Sequence, residues 1–291
     1  MRPANLVTAV ADVASGFAIG FALADGVDIW QGLGSYGTDL LFLSLATIGL
    51  YGGGVVFNDV FDLEIDSVER PERPLPSGEV SKKHAITMGV GLFLSGIAAA
   101  LLVGFYSGLL ALVIAILALV YDMKGKHYAV MGPLNMSLCR GANLLLGMSA
   151  WTGSLSLGYS LIILPILYIS SITLISRGEV AGGNKAHLSL ALIGYALVAG
   201  LLLGLGIFFS YQAMFAVPFV VLFLVLVYPP LLKAWKSLDA TDIRKAVKAG
   251  VVTLILLDAA LAAGFTSIGY GLLVAVLLPI SLWLGNFFSV T

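Results

Sequence analysis

Charge is what this chain has least of. Only 11% of its 291 residues are Asp, Glu, Lys or Arg, against about 25% in soluble domains, and 59% are hydrophobic. There is too little polar side chain to cover the surface of a water-soluble particle of this size, so lipid must solvate the outer faces. Cysteine is nearly absent too. The lone Cys139 excludes an internal disulfide, and its apolar surroundings read as ordinary packing. The three histidines, His84, His127 and His187, share no metal-ligand spacing and fall near expected helix ends, where interfacial solvation accounts for them. A strong net charge is missing as well: the formal total is −1, and no nucleic-acid partner is expected. No convincing small-residue cleavage site accompanies the first apolar run, so that segment is expected to be retained.

What the chain has in abundance is apolar runs long enough to cross a bilayer, for which a helix needs about 20 residues. Ten such spans are expected, at Leu6–Ala24, Asp39–Phe57, Ala85–Gly104, Ser107–Tyr121, Gly132–Ala150, Gly158–Ser176, His187–Phe209, Tyr211–Leu232, Lys245–Gly264 and Ser267–Phe287. The fourth is short and the last two read equally as one interrupted element, so the count is nine or ten. The expected fold class is an all-α polytopic membrane bundle of about nine transmembrane helices, with residues 1–291 as a single domain. The 34 glycines fit helices that approach closely through small residues, and Gly52, Gly53 and Gly54 predict one such tight face.

The few cations are distributed one-sidedly. Arg2, Arg70, Arg73, Lys82, Lys83, Lys124, Lys126, Arg177, Lys185, Lys233, Lys236, Arg244, Lys245 and Lys248 all fall at one end of the alternating spans, and only Arg140 lies elsewhere. The opposite loops, around Trp30, Tyr106, Trp151 and Gly269, carry none. Basic residues mark the cytoplasmic side, so a multi-pass protein of the inner (plasma) membrane is expected, with its N-terminus in the cytoplasm.

The longest loop on that side begins Asn58-Asp59-Val60-Phe61-Asp62-Leu63-Glu64-Ile65-Asp66, passes Arg70 and Arg73, and continues Pro74-Leu75-Pro76-Ser77-Gly78. If the second helix continues through it, Asp59, Asp62 and Asp66 stand at i, i+3 and i+7 on one face. Like charges so placed repel, and the repulsion is offset if they share a hard cation such as Mg²⁺, which takes carboxylates together with water and phosphate oxygens. Arg70 and Arg73 would supply guanidinium forks for the same phosphates. The plainer alternative is a solvated acidic loop whose charges pair with the two arginines. Three ionisable groups, Asp12, Arg140 and Asp258, fall within spans, where charge is costly and faces a partner or a cavity. Arg140 pairing with Asp12 or Asp258 stands beside substrate contact, and Asn143 is a further cavity candidate.

The string Asn-Asp-x-x-Asp-x-x-x-Asp followed by Arg-x-x-Arg-Pro-Leu-Pro-Ser-Gly resembles the first aspartate-rich motif of the UbiA superfamily of intramembrane prenyltransferases. Arg2-Pro3-x-Asn5 resembles the start of that family's first helix, and Tyr121 with Lys124 and Lys126 resembles its Tyr-and-Lys element. Gly132-Pro133-Leu134-Asn135-Met136, Cys139-Arg140-Gly141-Ala142-Asn143 and Ser176-Arg177-Gly178-Glu179 are similar to the EboC-type branch. The resemblance implies a helical bundle around a central cavity, capped from the cytoplasm by two carboxylate motifs. It implies Mg²⁺ on Asp59, Asp62, Asp66 and Glu179, catalytic contributions from Asn58 and Tyr121, and substrate binding by Asn5, Arg70, Arg73, Lys124 and Lys126; Arg140 and Asn143, from their depth in a span, and Arg177, as a cation in place of a second metal, are further substrate-binding candidates. The chemistry implied is transfer of a prenyl group from an allylic prenyl diphosphate to a lipophilic acceptor, aromatic in many family members.

The second motif departs from the family's Asp-x-x-x-Asp-x-x-x-Gly. Glu179 and Gly183 keep their places, but the first acidic position is Ile175, and Arg177 adds a cation nearby. Asp122 adjoins the Tyr-and-Lys element, where metal or acceptor contact and local pairing with Lys124 or Lys126 both remain open. The missing carboxylate supports an alternative of another class, a protein that holds or moves a prenyl lipid without cleaving it. A cyclase acting on the prenyl chain itself is a third reading.

Overall fold

The protein is described from a computed structural model covering residues 3–24, 26–123, 128, 131–179 and 182–287. Thirteen α-helices form it, with short 3₁₀ turns between some of them and no strand among the described residues. The first five are α1 (Pro3–Leu23), α2 (Ile29–Phe61), α3 (Leu63–Glu69), α4 (Lys82–Val103) and α5 (Phe105–Met123). Next come α6 (Met131–Met148), α7 (Leu155–Gly158), α8 (Ile163–Ser176) and α9 (Lys185–Gly204). The chain ends with α10 (Ala213–Ser237), α11 (Ala240–Phe265), α12 (Ile268–Ala275) and α13 (Leu277–Phe287).

The ten expected spans all fall on helices, with shifts that have local causes. The second begins at Ile29 rather than Asp39, because Asp28 caps it by accepting from the Trp30 amide at 3.0 Å; the glycine-rich run that follows reads as a loop in sequence but is held in the helix by that cap. Gly158 is not the clean start of the sixth span, since short helical turns run from Thr152 to Ile162 before α8 begins. The last span divides at Val276 into α12 and α13. Among the described residues nine helical stretches are long and apolar enough to cross a membrane. The expected span not among them is α6, whose 18 residues include Asn135, Arg140 and Asn143. Its polar side chains need protein rather than lipid around them, and α6 packs against α1, α5 and α8.

Helix contacts close a ring that runs α1, α2, α4, α5, α6, α8, α9, α10, α11 and back to α1. The α1–α6 crossing runs through the middle of that ring and separates two apolar cores. One is gathered by α2, α4 and α5, around Leu43, Leu50, Phe93 and Ala111. The larger one lies among α8, α9, α10 and α11, around Tyr168, Tyr195, Phe223 and Leu256. The crossing itself is glycine against glycine: a Cβ on Gly16 would collide with the Leu144 carbonyl oxygen, and one on Gly147 with the Val13 carbonyl oxygen. The tight approach of α2 to α4 belongs to Gly49 and Gly96, which face Leu92 and Ala46 carbonyls. Of the expected tight face at Gly52–Gly54, Gly53 belongs to the same approach, since a Cβ there would meet the Phe93 ring at 2.6 Å, whereas Gly54 has ordinary room. Replacing Gly147 by valine is expected to force α1 and α6 apart and cost about 1–3 kcal/mol or more, seen as a lowered unfolding midpoint in detergent; an unchanged midpoint would contradict the crossing described.

Candidate active site

Between α1, α2, α5, α6, α8 and α11 lies a chamber of about 430 Å³, within the range of small-ligand sites, about 300–1,000 Å³. Its walls are largely apolar, with Leu50, Ile114, Ala118, Ile172 and Leu254 among them. Polar residues collect at its two ends. Asn58, Asp59, Asp62, Tyr121 and Asp122 stand at one, together with Asn5 from the first turn of α1. Thr47, Arg140 and Asn143 stand at the other. On α2 the lining residues recur as Thr47, Leu50, Tyr51, Gly54, Val55, Asn58, Asp59 and Asp62, one stripe of a continuous helix. At 1.5 Å per residue the stripe from Asp62 to Thr47 measures roughly 20 Å. The chamber therefore reaches well into the hydrocarbon depth, about 30 Å in a typical bilayer.

The aspartate motif is built differently from a single helical face. α2 stops at Phe61, and Asp62 (φ −87°, ψ 2°) joins it to α3. The bend leaves Asp59 and Asp62 on the chamber, while Asp66 is buried outside its lining. Arg73 holds Asp66 at 2.6 Å and stands 3.7 Å from Asp59. The expectation of three carboxylates on one face is thus corrected: two face the chamber, and the third anchors the arginine that braces them. Arg73 is placed by a folded loop rather than a loose one, with successive turns closing from Arg70 to Val80 and Leu75 packed on Val56, Val60 and Ala85. Arg70 caps the end of α3 and is exposed, away from the chamber lining.

Asp122 is the residue that sequence reasoning left open. It is buried, it lines the chamber, and its Oδ1 accepts from Asn58 Nδ2 at 2.9 Å. Asn58 therefore fixes a carboxylate of α5 beside the carboxylates of α2. Thr47 and Tyr51 also line the chamber and were not singled out beforehand. Their signal is present in the sequence as polar residues spaced at helical intervals with Asn58 and Asp62 along one apolar helix.

At the deep end the intramembrane charges are paired. Arg140 donates to Asp12 Oδ2 at 2.7 Å and also to Thr8. Asn143 donates to the Ala9 carbonyl at 2.7 Å and to Asp12 at 3.0 Å, while its own oxygen accepts from Thr47 at 2.7 Å. Arg140 thus does both things considered for it: it pairs with Asp12 and lines the chamber. Asp258 is buried close by, lining a cavity of about 20 Å³ with Asp12 and Arg140, and its Oδ2 has no hydrogen-bond partner among the described residues.

The second motif does not reach the chamber. Ile175 is buried, Glu179 is half-buried and Arg177 exposed, and none of the three lines the cavity. Lys124 and Lys126 lie outside the described residues, as does Arg2. Among the described residues no group of three or more His, Cys, Asp or Glu is gathered tightly enough to hold a metal unaided. The donors that are present still suit Mg²⁺, which takes one or two carboxylates and completes its shell with water and phosphate oxygens. Asp59 and Asp62 supply the carboxylates, and Asp122 adds a third hard oxygen donor at the same mouth.

The model of the UbiA prenyltransferase family matches residues 13–249. The chain is 35% identical over 187 residues to the digeranylgeranylglyceryl phosphate synthase of Methanothrix thermoacetophila, a stretch covering 64% of this chain and 66% of that protein. The chain thus spans just under two thirds of that relative, and about half of other curated synthases of the same name. The fold is similar to the apo structure of a UbiA homolog from Aeropyrum pernix K1, with a TM-score of 0.69 and 17% identity over 92% of this chain and 98% of that one. It is also similar to a UbiA homolog from Archaeoglobus fulgidus bound to DMAPP and Mg²⁺, with a TM-score of 0.52 and 15% identity over 94% and 97% of the two chains. At these identities the structural likeness concerns the fold alone.

Proposed function

Because the chain belongs to the UbiA prenyltransferase family, we propose that it transfers a prenyl group from an allylic prenyl diphosphate to a lipid acceptor inside the membrane. The observation that carries this reading is the joining of a carboxylate-lined mouth, Asp59, Asp62 and Asp122, to an apolar chamber roughly 20 Å deep. The name of the relatives, digeranylgeranylglyceryl phosphate synthase, supports a glyceryl phosphate ether as acceptor in preference to an aromatic ring. The end bearing the lysines and arginines is taken as cytoplasmic, since all of them except Arg140 fall there.

Asp59 and Asp62 would hold Mg²⁺, which when bound neutralises the diphosphate and so makes it a better leaving group. Arg73 keeps Asp59 oriented through the ion pair it shares with Asp66. Asn58 holds Asp122 against the same mouth, and Asn5 closes it from α1. Leu50, Ile114, Ala118, Ile172 and Leu254 exclude water from the chamber, so the allylic cation left when the C–O bond ionises meets the acceptor oxygen rather than a water molecule. The new C–O bond forms at that oxygen, the diphosphate departs with the electron pair of the broken C–O bond, and the acceptor's proton passes to that diphosphate.

The absence of a carboxylate at Ile175 favours the second reading, a carrier that binds prenyl lipid without turnover. The full chain reconstituted in vesicles with geranylgeranyl diphosphate, Mg²⁺ and geranylgeranylglyceryl phosphate separates the two. Formation of the doubly prenylated product, lost on adding EDTA and regained with Mg²⁺, is expected. Tight binding of the diphosphate with no product from either a glyceryl phosphate or an aromatic acceptor would establish the carrier instead.

A further inference from the structure

Charge is unevenly shared among the loops at this end of the helices. Residues 58–83, which form the end of α2, α3 and the folded loop, carry seven acids against four cations. A second group is made by Arg177, Glu179 and Lys185 around the ends of α8 and α9, and by Lys233–Lys248 around the α10–α11 turn. It carries seven cations against three acids. A diphosphate bridged by Mg²⁺ belongs to the acidic side. The basic side has no such use, and with isoleucine at position 175 it lacks the carboxylate that would hold a second metal.

The basic side is one built unit rather than scattered surface lysines. The Gly183 amide donates to the Leu238 carbonyl at 2.9 Å, tying the loop after α8 to the α10–α11 turn. Gly182, at φ +93°, permits that approach, since a Cβ there would sit 3.0 Å from the Leu238 oxygen. Lys185 lies over the Trp235 ring at 5.2 Å, and Trp235 Nε1 donates to Ser189 at 2.9 Å. The local carboxylates of the turn are already engaged. Asp242 pairs with Lys233 at 2.9 Å, and Asp239 caps α11 by accepting from the Thr241 amide at 2.9 Å. Arg244, Lys245 and Lys248 are exposed and make no ion pair among the described residues.

Helical register connects this unit to the chamber. Val251 and Leu254 of α11 line it, as does Thr173 of α8. At about 100° per residue, Arg244 falls two turns before Val251 and within roughly 20° of the same line. Lys248 falls one turn before Val251, about 60° to the side, and Arg177 follows Thr173 by four residues. Arg244 thus falls close to the line of the chamber-lining Val251, with Lys248 nearer along the helix and off to one side.

We propose that Arg244 and Lys248 bind the phosphate monoester of the acceptor, so that the two lipid headgroups are sorted by charge. The Mg²⁺-bridged diphosphate occupies the acidic half of the mouth, and the metal-free phosphate occupies the basic half. This rests on the reading of the chamber as a prenyl-transfer site and goes beyond it by assigning the acceptor's anionic headgroup to named residues. Charge-assisted hydrogen bonds from guanidinium and ammonium groups suit a dianionic phosphate, which a neutral aromatic acceptor lacks.

Equilibrium binding to the detergent-solubilised full chain tests the assignment without requiring turnover, so its result is independent of whether transfer occurs. Wild-type protein is expected to bind geranylgeranylglyceryl phosphate at least about tenfold more tightly than the uncharged geranylgeranylglycerol. The double variant Arg244→Gln/Lys248→Gln is expected to lose that preference while keeping its affinity for geranylgeranyl diphosphate with Mg²⁺, which also reports that it is folded. Lys245→Gln, about 120° off the Val251 line, is expected to retain the preference. A preference that survives in the double variant overturns the assignment. So does equal tightening by phosphatidylglycerol, which would make the patch a general surface for anionic lipid, or parallel loss of diphosphate binding, which would deny the division into two halves.

Discussion

Replacing Asp62 by alanine is expected to lower prenyl transfer by about 10²–10³-fold, the scale seen when one preorganised electrostatic contact to a developing charge is removed. Asp62 is singled out because it stands at the junction of α2 and α3 and lines the chamber, whereas Asp66, from the same motif, is buried outside the lining against Arg73. The two variants should therefore differ in kind. Asp62→Ala should chiefly reduce turnover and Mg²⁺ response in the vesicle assay and leave the unfolding midpoint near that of the parent. Asp66→Ala should loosen the folded loop that carries Arg73, and it should register in stability as well as in activity. Should Asp62→Ala retain parental turnover at saturating Mg²⁺, the mouth described here is not where the diphosphate is held.

Arg140→Met is expected to cost about 3–5 kcal/mol of stability, because it leaves the buried Asp12 without its partner at membrane depth. The burden is increased by Asp258, a second buried carboxyl lining the same small cavity. The double substitution Arg140→Met/Asp12→Leu should recover most of the loss, since exchanging both members of a buried pair for apolar residues is often neutral or stabilising. Unfolding midpoints of the four proteins of this cycle in detergent supply the check. Recovery of stability in the double variant without recovery of prenyl transfer would show that Arg140 also serves the chamber, which it lines beside Asn143. A single variant as stable as the parent would mean that the pair contributes nothing.

Much of this molecule was legible before any coordinates. Hydrophobic runs bounded by cations located the helices, because lipid tolerates few alternatives to a fully hydrogen-bonded helix. The structure brings Asn58, Asp59 and Asp62 together with Asn5, Tyr121, Arg140 and Asn143 along one cavity. Other parts were read with the wrong partner. Spacing put Asp66 on one face with Asp59 and Asp62 by assuming that the helix continues through Asp62, whereas α2 ends there and Asp66 pairs with Arg73. Arg70 was treated like Arg73, although only Arg73 is turned inward by the loop. Glu179 and Arg177 were carried into the chamber by the family pattern, yet Ile175 fills the preceding position with a buried apolar side chain, and this end of α8 packs toward Ile243 and Leu238 instead.

The sequence alone determined that the chain lives in lipid, which segments are helical, and at which end its charges gather. Those properties are local: they follow from the solvation of each side chain and from runs of about 20 residues. Only the tertiary structure decided that Asn58 of α2 meets Asp122 of α5 and that Arg140 of α6 meets Asp12 of α1. The physical reason is that side chains 64 and 128 residues apart in the chain meet only through the order in which helices pack. That order is set by close contacts such as Gly16 on Gly147, which leave no periodic mark in the sequence.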